Sequence, residues 1–450
     1  MKYLVETFGC QMNVHDSERI AGLLEQAGHE PADDEQDAEL VILNTCSVRE
    51  HAAEKLFSRL GELRAVTGRH GQHPLLAVAG CVAQQEGERL LARVPYVDLV
   101  IGTQAVRRLP DLVEALHRSG RQQVDVRAYE DPSFPLGIAR RSDPVRAYVT
   151  IMEGCNDYCS FCVVPYTRGH ERMRRKAEIL DEVAEAVAGG RREIHLLGQI
   201  VNHYQAPDDP ACDFPALLEA VDAVPGVQRI RFASPHPRHA SDRLVEAIRD
   251  LPRVCKHLHL PVQSGSSRVL AAMRRRHTRE EYLALVGRLR DAVPSIAIST
   301  DMIVGFPGET ADDFEETLSL VRQVRFQAMF SFKYSQRPNT LAAKRLEDDV
   351  PEEEKGRRLW ALQQEQREIQ LALNRQMVGT EVEVLVDSLS RRRTDEVSGR
   401  TTGNVVVNFA APRSTIGSLL RVRITDAGAN SVKGACSEPT VSWSAGGGQG

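Results

Sequence analysis

Three cysteines fall within eight residues in Gly154-Cys155-Asn156-Asp157-Tyr158-Cys159-Ser160-Phe161-Cys162, spaced C-x3-C-x2-C. They follow residues 146–153, a short apolar run rich in β-branched and aromatic types that reads as a buried strand. A loop leaving a strand end can bring three thiolates to one point. The number matters for the chemistry. A structural zinc ion takes four protein ligands, often from paired C-x2-C elements. A cubane iron–sulfur cluster has four irons, so three thiolates leave one iron open to a small molecule. On spacing alone both readings stand; zinc would need a fourth ligand such as His170 or Cys212.

A second set of three lies upstream. Three apolar runs end at Cys10, Cys46 and Cys81, spaced by 36 and 35 residues, a length that suits one strand, one helix and two loops. Helical apolar patterns follow each cysteine, over 16–26, 49–64 and 84–91, and residues 97–102 read as a fourth strand. Crossovers between parallel strands are right-handed, so the three cysteines belong at one carboxyl-end edge of one parallel sheet, where open α/β sheets bind ligands. The functional reading is a second cluster with an open iron. The plain alternative is three buried core cysteines.

The C-x3-C-x2-C run resembles that of the radical S-adenosylmethionine (SAM) enzymes. Thr7-Phe8-Gly9-Cys10-Gln11-Met12-Asn13 with Asp16-Ser17-Glu18, then Asn44-Thr45-Cys46-Ser47-Val48-Arg49 and Ala79-Gly80-Cys81-Val82-Ala83-Gln84, resemble the three N-terminal segments of the methylthiotransferases. The segment Cys162-Val163-Val164-Pro165-Tyr166-Thr167-Arg168-Gly169 resembles the members that act on tRNA, and Gln11-Met12-Asn13 with Val163-Val164-Pro165-Tyr166-Thr167 is similar to those acting on isopentenyladenosine; others act on threonylcarbamoyl-adenosine in tRNA or on a ribosomal-protein aspartate. Ile200, Met173 and Asn339 depart from the pattern, where Asn, Ser and Gly are usual. The resemblance implies two [4Fe-4S] clusters, one on Cys155, Cys159 and Cys162 and one on Cys10, Cys46 and Cys81. It implies SAM cleavage to methionine and a 5′-deoxyadenosyl radical at the first, and sulfur carriage at the second. The implied partners are a tRNA anticodon loop, an external electron donor and a sulfur source.

The elements that must position these residues are legible in outline. At 450 residues the chain has room for about three domains. The expected fold is multidomain α/β: an N-terminal parallel α/β sheet at 1–125, a partial (β/α)6 barrel at 141–375, a small antiparallel β-barrel at 376–440 and a disordered tail at 441–450. Proline-bearing stretches at 131–135 and 140–144 read as the first linker. Six strand-like runs follow, and five end near Gln199, Ser234, Gln263, Asp301 and Tyr334. Barrel sites lie at that end, so Gln199, Ser234 and Gln263 are candidate SAM contacts. Residues 350–377 read as a long helix, a spacer whose charged faces argue against burial. The short strands after it resemble the RNA-binding TRAM domain.

Nine cysteines in no disulfide-like array suit a reduced compartment. No apolar run approaches the ~20 residues that span a bilayer, and the first residues carry no signal-like core. The expectation is a cytoplasmic monomer. A net charge of −5 excludes a global nucleic-acid signature, so contacts with RNA must come from local patches. The candidates are Arg168, Arg172, Arg174 and Arg175 beside the cysteine loop, and Arg391, Arg392, Arg393 and Arg400 on the small barrel. A metal-stabilised RNA-binding protein without catalysis is the alternative of another class.

Overall fold

The computed structural model describes residues 1–439 apart from 48–49, 69–70, 72, 129–136, 392 and 394. The stretch at 131–135, Arg392 and the tail at 441–450 lie outside the described residues.

The N-terminal sheet has six parallel strands: β1 (Lys2–Phe8), β2 (Glu30–Pro31), β3 (Leu40–Thr45), β4 (Leu75–Gly80), β5 (Leu99–Ile101) and β6 (Gln123–Asp125), in the order β2-β1-β3-β4-β5-β6. Strand β3 is buried along its whole length, and its side chains alternate between two cores. Leu40 and Ile42 pack with Ile20 and Leu24 of helix α1 (Gln11–Gln26); Val41 and Leu43 pack with Leu56 and Leu60 of helix α2 (Glu50–Leu63). The helix expected over 84–91 instead begins at the cysteine, as α3 (Cys81–Glu86). Gly87, at φ 53°, separates it from the helix Glu88–Arg93.

The central half-barrel comprises β7 (Arg146–Thr150), then a two-residue hairpin of β8 (Met152–Glu153) and β9 (Arg172–Met173) that frames the cysteine loop, then β10 (Glu193–Leu197), β11 (Arg229–Phe232), β12 (His257–His259), β13 (Ala297–Val304) and β14 (Ala328–Lys333). Its six main strands are parallel, in two sheets β11-β10-β7 and β12-β13-β14 joined by a bridge between Ile230 and Val254. The barrel is therefore open along a seam between β14 and β7.

Five strands, β15 (Glu381–Leu389), β16 (Glu396–Arg400), β17 (Val406–Ala410), β18 (Leu419–Ala427) and β19 (Val432–Pro439), close into the small barrel in the order β15-β16-β17-β19-β18. Closure pairs β17 and β19 in parallel; the other pairs are antiparallel. This barrel sits under the amino ends of the half-barrel strands. Arg231 donates to the carbonyls of Thr401 and Thr402 at 2.7 and 3.2 Å, and Arg229 to those of Glu383 and Arg400.

The long helix Glu352–Gln376 corrects the spacer expectation. It lies along β14 with Lys355, Arg358, Leu362, Gln366, Ile369 and Asn374 buried on one face. Its charge is no obstacle because its buried charges are paired, Lys355 with Asp348 at 2.6 Å and Arg358 with Glu309 at 2.7 Å, and the Gln366 amide nitrogen donates to the Phe326 carbonyl at 2.8 Å. No helix among the described residues is long and apolar enough to cross a membrane.

Candidate functional site

The parallel register that pairs Phe8 with Thr45 and Thr45 with Gly80 brings the ends of β1, β3 and β4 level. Cys10, Cys46 and Cys81 follow those ends, and the Cys46 thiol is within hydrogen-bonding reach of both others. Cys10 caps α1, and Cys81 opens α3. Asn13 accepts from the Cys10 backbone amide and from its thiol, each at 3.3 Å, and donates to Asn44, which donates back to the Asn13 carbonyl. Both asparagines are fully buried. Gly80 precedes Cys81 at φ 89°, and a Cβ there would lie 2.3 Å from the Asn44 amide oxygen, so the turn into the cysteine has no room for a side chain. The Cys10 and Cys81 thiols are held below their usual range, first by hydrogen bonding from Cys46 and then by the nearby Arg168 guanidinium; Cys46, the donor, is pushed up.

The second triad lies in the loop after β8. Gly154, at φ 77°, turns the chain into Cys155; a Cβ there would sit 2.0 Å from the His170 carbonyl oxygen. The Asp157 amide donates to the Cys155 sulfur at 3.5 Å, and Arg275, itself buried, donates to the Cys159 sulfur at 3.7 Å and to the Pro261 carbonyl at 2.7 Å. Burial pushes the Cys155 thiol up to about 11 and that of Cys162 to about 12, although Cys162 keeps one side toward a cavity. Neither candidate fourth zinc ligand is turned to these sulfurs. His170 Nδ1 is engaged with the Tyr158 hydroxyl and Asn156 at 3.2 and 3.3 Å, and Cys212 donates to the Asp213 carbonyl inside the hydrophobic core.

Of the six cysteines Cys162 lines the cavity at the barrel mouth, and the strand-built triad adjoins it through the residues before Cys10. The cavity, of about 710 Å³, is lined by Thr7, Phe8 and Gly9 before Cys10, by Phe161 and Cys162, and by Gln263, Asp301 and Tyr334 at the barrel mouth. The Tyr334 hydroxyl and, beside the triads, the Thr45 and Ser47 hydroxyls and Arg275 Nε are buried without a partner, polar groups still open to a bound group. Three thiols spread over a loop or over three strand ends, each with donors to its sulfur and a glycine-cleared approach, fit a cluster whose thiolates take separate irons. Among the described residues no three His, Cys, Asp or Glu side chains are grouped to hold a single metal ion.

Of the candidate SAM contacts, Gln263 lines the cavity, with φ 80°. Gln199 and Ser234 do not; the Gln199 amide oxygen is buried and unpaired, and Ser234 sits at φ 61° after β11. The basic set needs correction. Arg168 is 4% exposed and ion-paired with Asp16 at 2.6 Å, and Arg174 is 5% exposed and bonded to Glu182 and the Thr150 carbonyl, so neither faces solvent. Arg400 is turned into the dock between the small barrel and the half-barrel, near Asp387. Burial lowers its pKa. Arg172 is half-buried near Glu153; Arg175, Arg391 and Arg393 are exposed, Arg393 beside Glu396.

Arg168 and Arg174 belong to a buried polar seam that locks α1 onto the half-barrel. His15 meets the Thr150 hydroxyl at 2.8 Å and Glu182 at 3.3 Å, and Arg19 meets Glu153 at 3.3 Å. Burial, with Arg19 nearby, lowers the His15 pKa to about 4, and burial raises that of Glu18, both of whose oxygens lack a partner, to about 7. Arg141, from the expected linker, pairs with Glu182 at 2.8 Å. Sequence reasoning missed Arg275 and this seam. Scattered polar residues carry no period, and only their burial reveals them.

Residues 2–102 match the model described as uncharacterized protein family UPF0004, residues 149–321 the radical SAM superfamily, and residues 375–436 the TRAM domain. The tRNA-2-methylthio-N(6)-dimethylallyladenosine synthase of Geotalea uraniireducens is 48% identical over 96% of this chain and 97% of its own. The protein of the same name from Chromobacterium violaceum is 47% identical over 96% and 98%. A solved radical S-adenosylmethionine methyltransferase from Kitasatospora setae shares the fold, with a TM-score of 0.54 at 14% identity over 76% of this chain and 74% of that one. A radical SAM domain implies a [4Fe-4S] cluster and SAM. With its three matched segments in order and relatives this similar along nearly the whole length, the chain belongs to the radical SAM methylthiotransferase family.

Proposed function

We propose that the protein inserts a methylthio group at C2 of N6-dimethylallyladenosine, beside the anticodon of tRNA. The carrying observation is the shared chamber: Gly9, next to Cys10, and Cys162 face the same cavity, so groups held by the two triads meet one substrate. The adenine C2–H is not acidic, and polar acid–base catalysis suits it poorly, whereas cofactors carry radical chemistry. When bound, a cluster on Cys155, Cys159 and Cys162 supplies the electron that cleaves SAM, and a second on Cys10, Cys46 and Cys81 supplies the sulfur.

The residues of the chain hold and enclose. Arg275 and the Asp157 amide donate to two sulfurs of one triad, and Asn13 fixes the Cys10 arm of the other. Gln263 and Asp301 offer amide and carboxylate to the polar ends of SAM, while Phe8, Phe161, Ile303 and Leu359 exclude water from the chamber. Lys55, Lys333 and Arg337 line the same cavity, where a phosphate backbone would enter. The target base has to leave its stack to reach C2, the usual demand for chemistry on a base. An electron donor and a sulfur source are the remaining partners.

The test is mass spectrometry of tRNA nucleosides from a strain lacking the gene, with and without this chain restored. The methylthio form of dimethylallyladenosine should return with the gene. Return of methylthiolated threonylcarbamoyl-adenosine, or of a modified ribosomal-protein aspartate instead, would reassign the substrate.

A further inference from the structure

Strand β14 is the edge strand on the open seam of the half-barrel. Its register against β13 pairs Phe330 with Asp301 and Phe332 with Ile303, so both rings stand on the row that faces the barrel interior. Asp301, Ile303 and Phe332 line the cavity. Phe330 continues that wall along the seam, edge-on to His259 at 5.9 Å between ring centroids, and His259 Nε2 lies 3.4 Å from Asp301.

Strands of a parallel sheet are normally covered on both faces, and aromatic side chains on the inner row normally sit in a core. Here Phe330 is 52% and Phe332 37% exposed. The strip is also not purely apolar in its setting: Lys333, ion-paired with Glu352, follows it directly, and Lys55 and Arg337 line the chamber it leads into. Flat rings flanked by cations, leading to a chamber large enough for a nucleoside, match the chemistry of an unpaired nucleic-acid strand. Bases of such a strand stack on aromatic faces, and its phosphates seek cations.

Resting on the tRNA reading above, we infer that Phe330 and Phe332 form a stacking wall for the unpaired bases that flank the target adenosine as it enters the cavity. The wall tolerates any base, since each has a π-face, and leaves choice of the modified nucleotide to the chamber behind it.

The test uses the full-length, cluster-reconstituted protein without air and a fluorescently labelled anticodon stem-loop carrying dimethylallyladenosine. Binding is read by anisotropy over a series of salt concentrations. Phe330→Ala and Phe332→Ala should each weaken binding about ten-fold with an unchanged salt slope, because no phosphate contact is lost. Phe330→Trp and Phe332→Trp should restore it. Trp360→Ala, which removes a ring 66% exposed on the long helix and absent from the cavity wall, should bind as the wild type does. Thermal melting checks that each variant is folded. Wild-type affinity in both Phe→Ala variants, or an equal loss in Trp360→Ala, overturns the stacking wall. Failure of the wild type itself to bind the stem-loop overturns the tRNA reading, and this inference with it.

Discussion

The two cysteine triads reach similar ends by different physics. Cys155, Cys159 and Cys162 come from one loop, so their proximity is nearly local. The Cys155 and Cys162 thiols are desolvated and raised, and Arg275 donates to the Cys159 sulfur. Cys10, Cys46 and Cys81 span three strands and meet only if β1, β3 and β4 pair in register. Two of their thiols are lowered, by mutual hydrogen bonding and by an arginine that the catalytic half-barrel extends to them. The strand-built triad is thus a property of the N-terminal sheet, tuned across the dock by Arg168, while the loop-built one is a property of a loop.

The largest effects should separate the triads outright. Cys155→Ala is expected to abolish SAM cleavage and methylthiolation, whereas Cys46→Ala should keep SAM cleavage and lose methylthiolation. Iron analysis should fall from about eight per chain to about four in each variant. Product formation by Cys46→Ala would remove the sulfur-carrier role.

Next comes the dock. Arg168→Leu leaves Asp16 buried without its partner and should cost about 3 kcal/mol, seen as a lowered Tm. The same variant should lose iron from the strand-built triad before the loop-built one, which Mössbauer or EPR spectra of partly depleted protein can separate.

A smaller effect follows from His15. Its pKa in the folded protein is about 4, against about 6.5 unfolded, so the folded state binds fewer protons between those values. The contribution of neutral His15 is fully present above pH ~6.5 and is lost as pH falls toward 4. His15→Gln should flatten the fall in Tm across that window.

Glu18 has the opposite sign. Its pKa is raised to about 7 from about 4.3 unfolded, so the buried carboxylate destabilises the fold increasingly as pH rises through that range. Glu18→Gln should raise stability at pH 8 by about 1 kcal/mol and do little at pH 4.

Much of this was legible in the residues, for reasons the structure makes concrete. The strand runs ending in Cys10, Cys46 and Cys81 carry their own period, and right-handed crossover sends them to one edge. The six strands of the half-barrel were visible for the same reason. The edge strands β2 (Glu30–Pro31) and β6 (Gln123–Asp125) were not, being short and mostly polar, with no apolar run to mark them. Charge misled twice. Arg168 and Arg174 read as a solvent-facing patch, and the long helix as a spacer, because sequence shows a charge but not its partner. Asp16, Glu182 and Glu309 lie 152, 8 and 49 residues from the arginines they neutralise, and only folding brings them together.

The small barrel is fastened chiefly through main-chain oxygens: Arg229 and Arg231 grip the carbonyls of Glu383, Arg400, Thr401 and Thr402. Every amino acid supplies a carbonyl, so this clasp is indifferent to which side chains the barrel displays. Its outer side chains can therefore vary without loosening the anchor, and fastening and display are free to evolve on separate clocks.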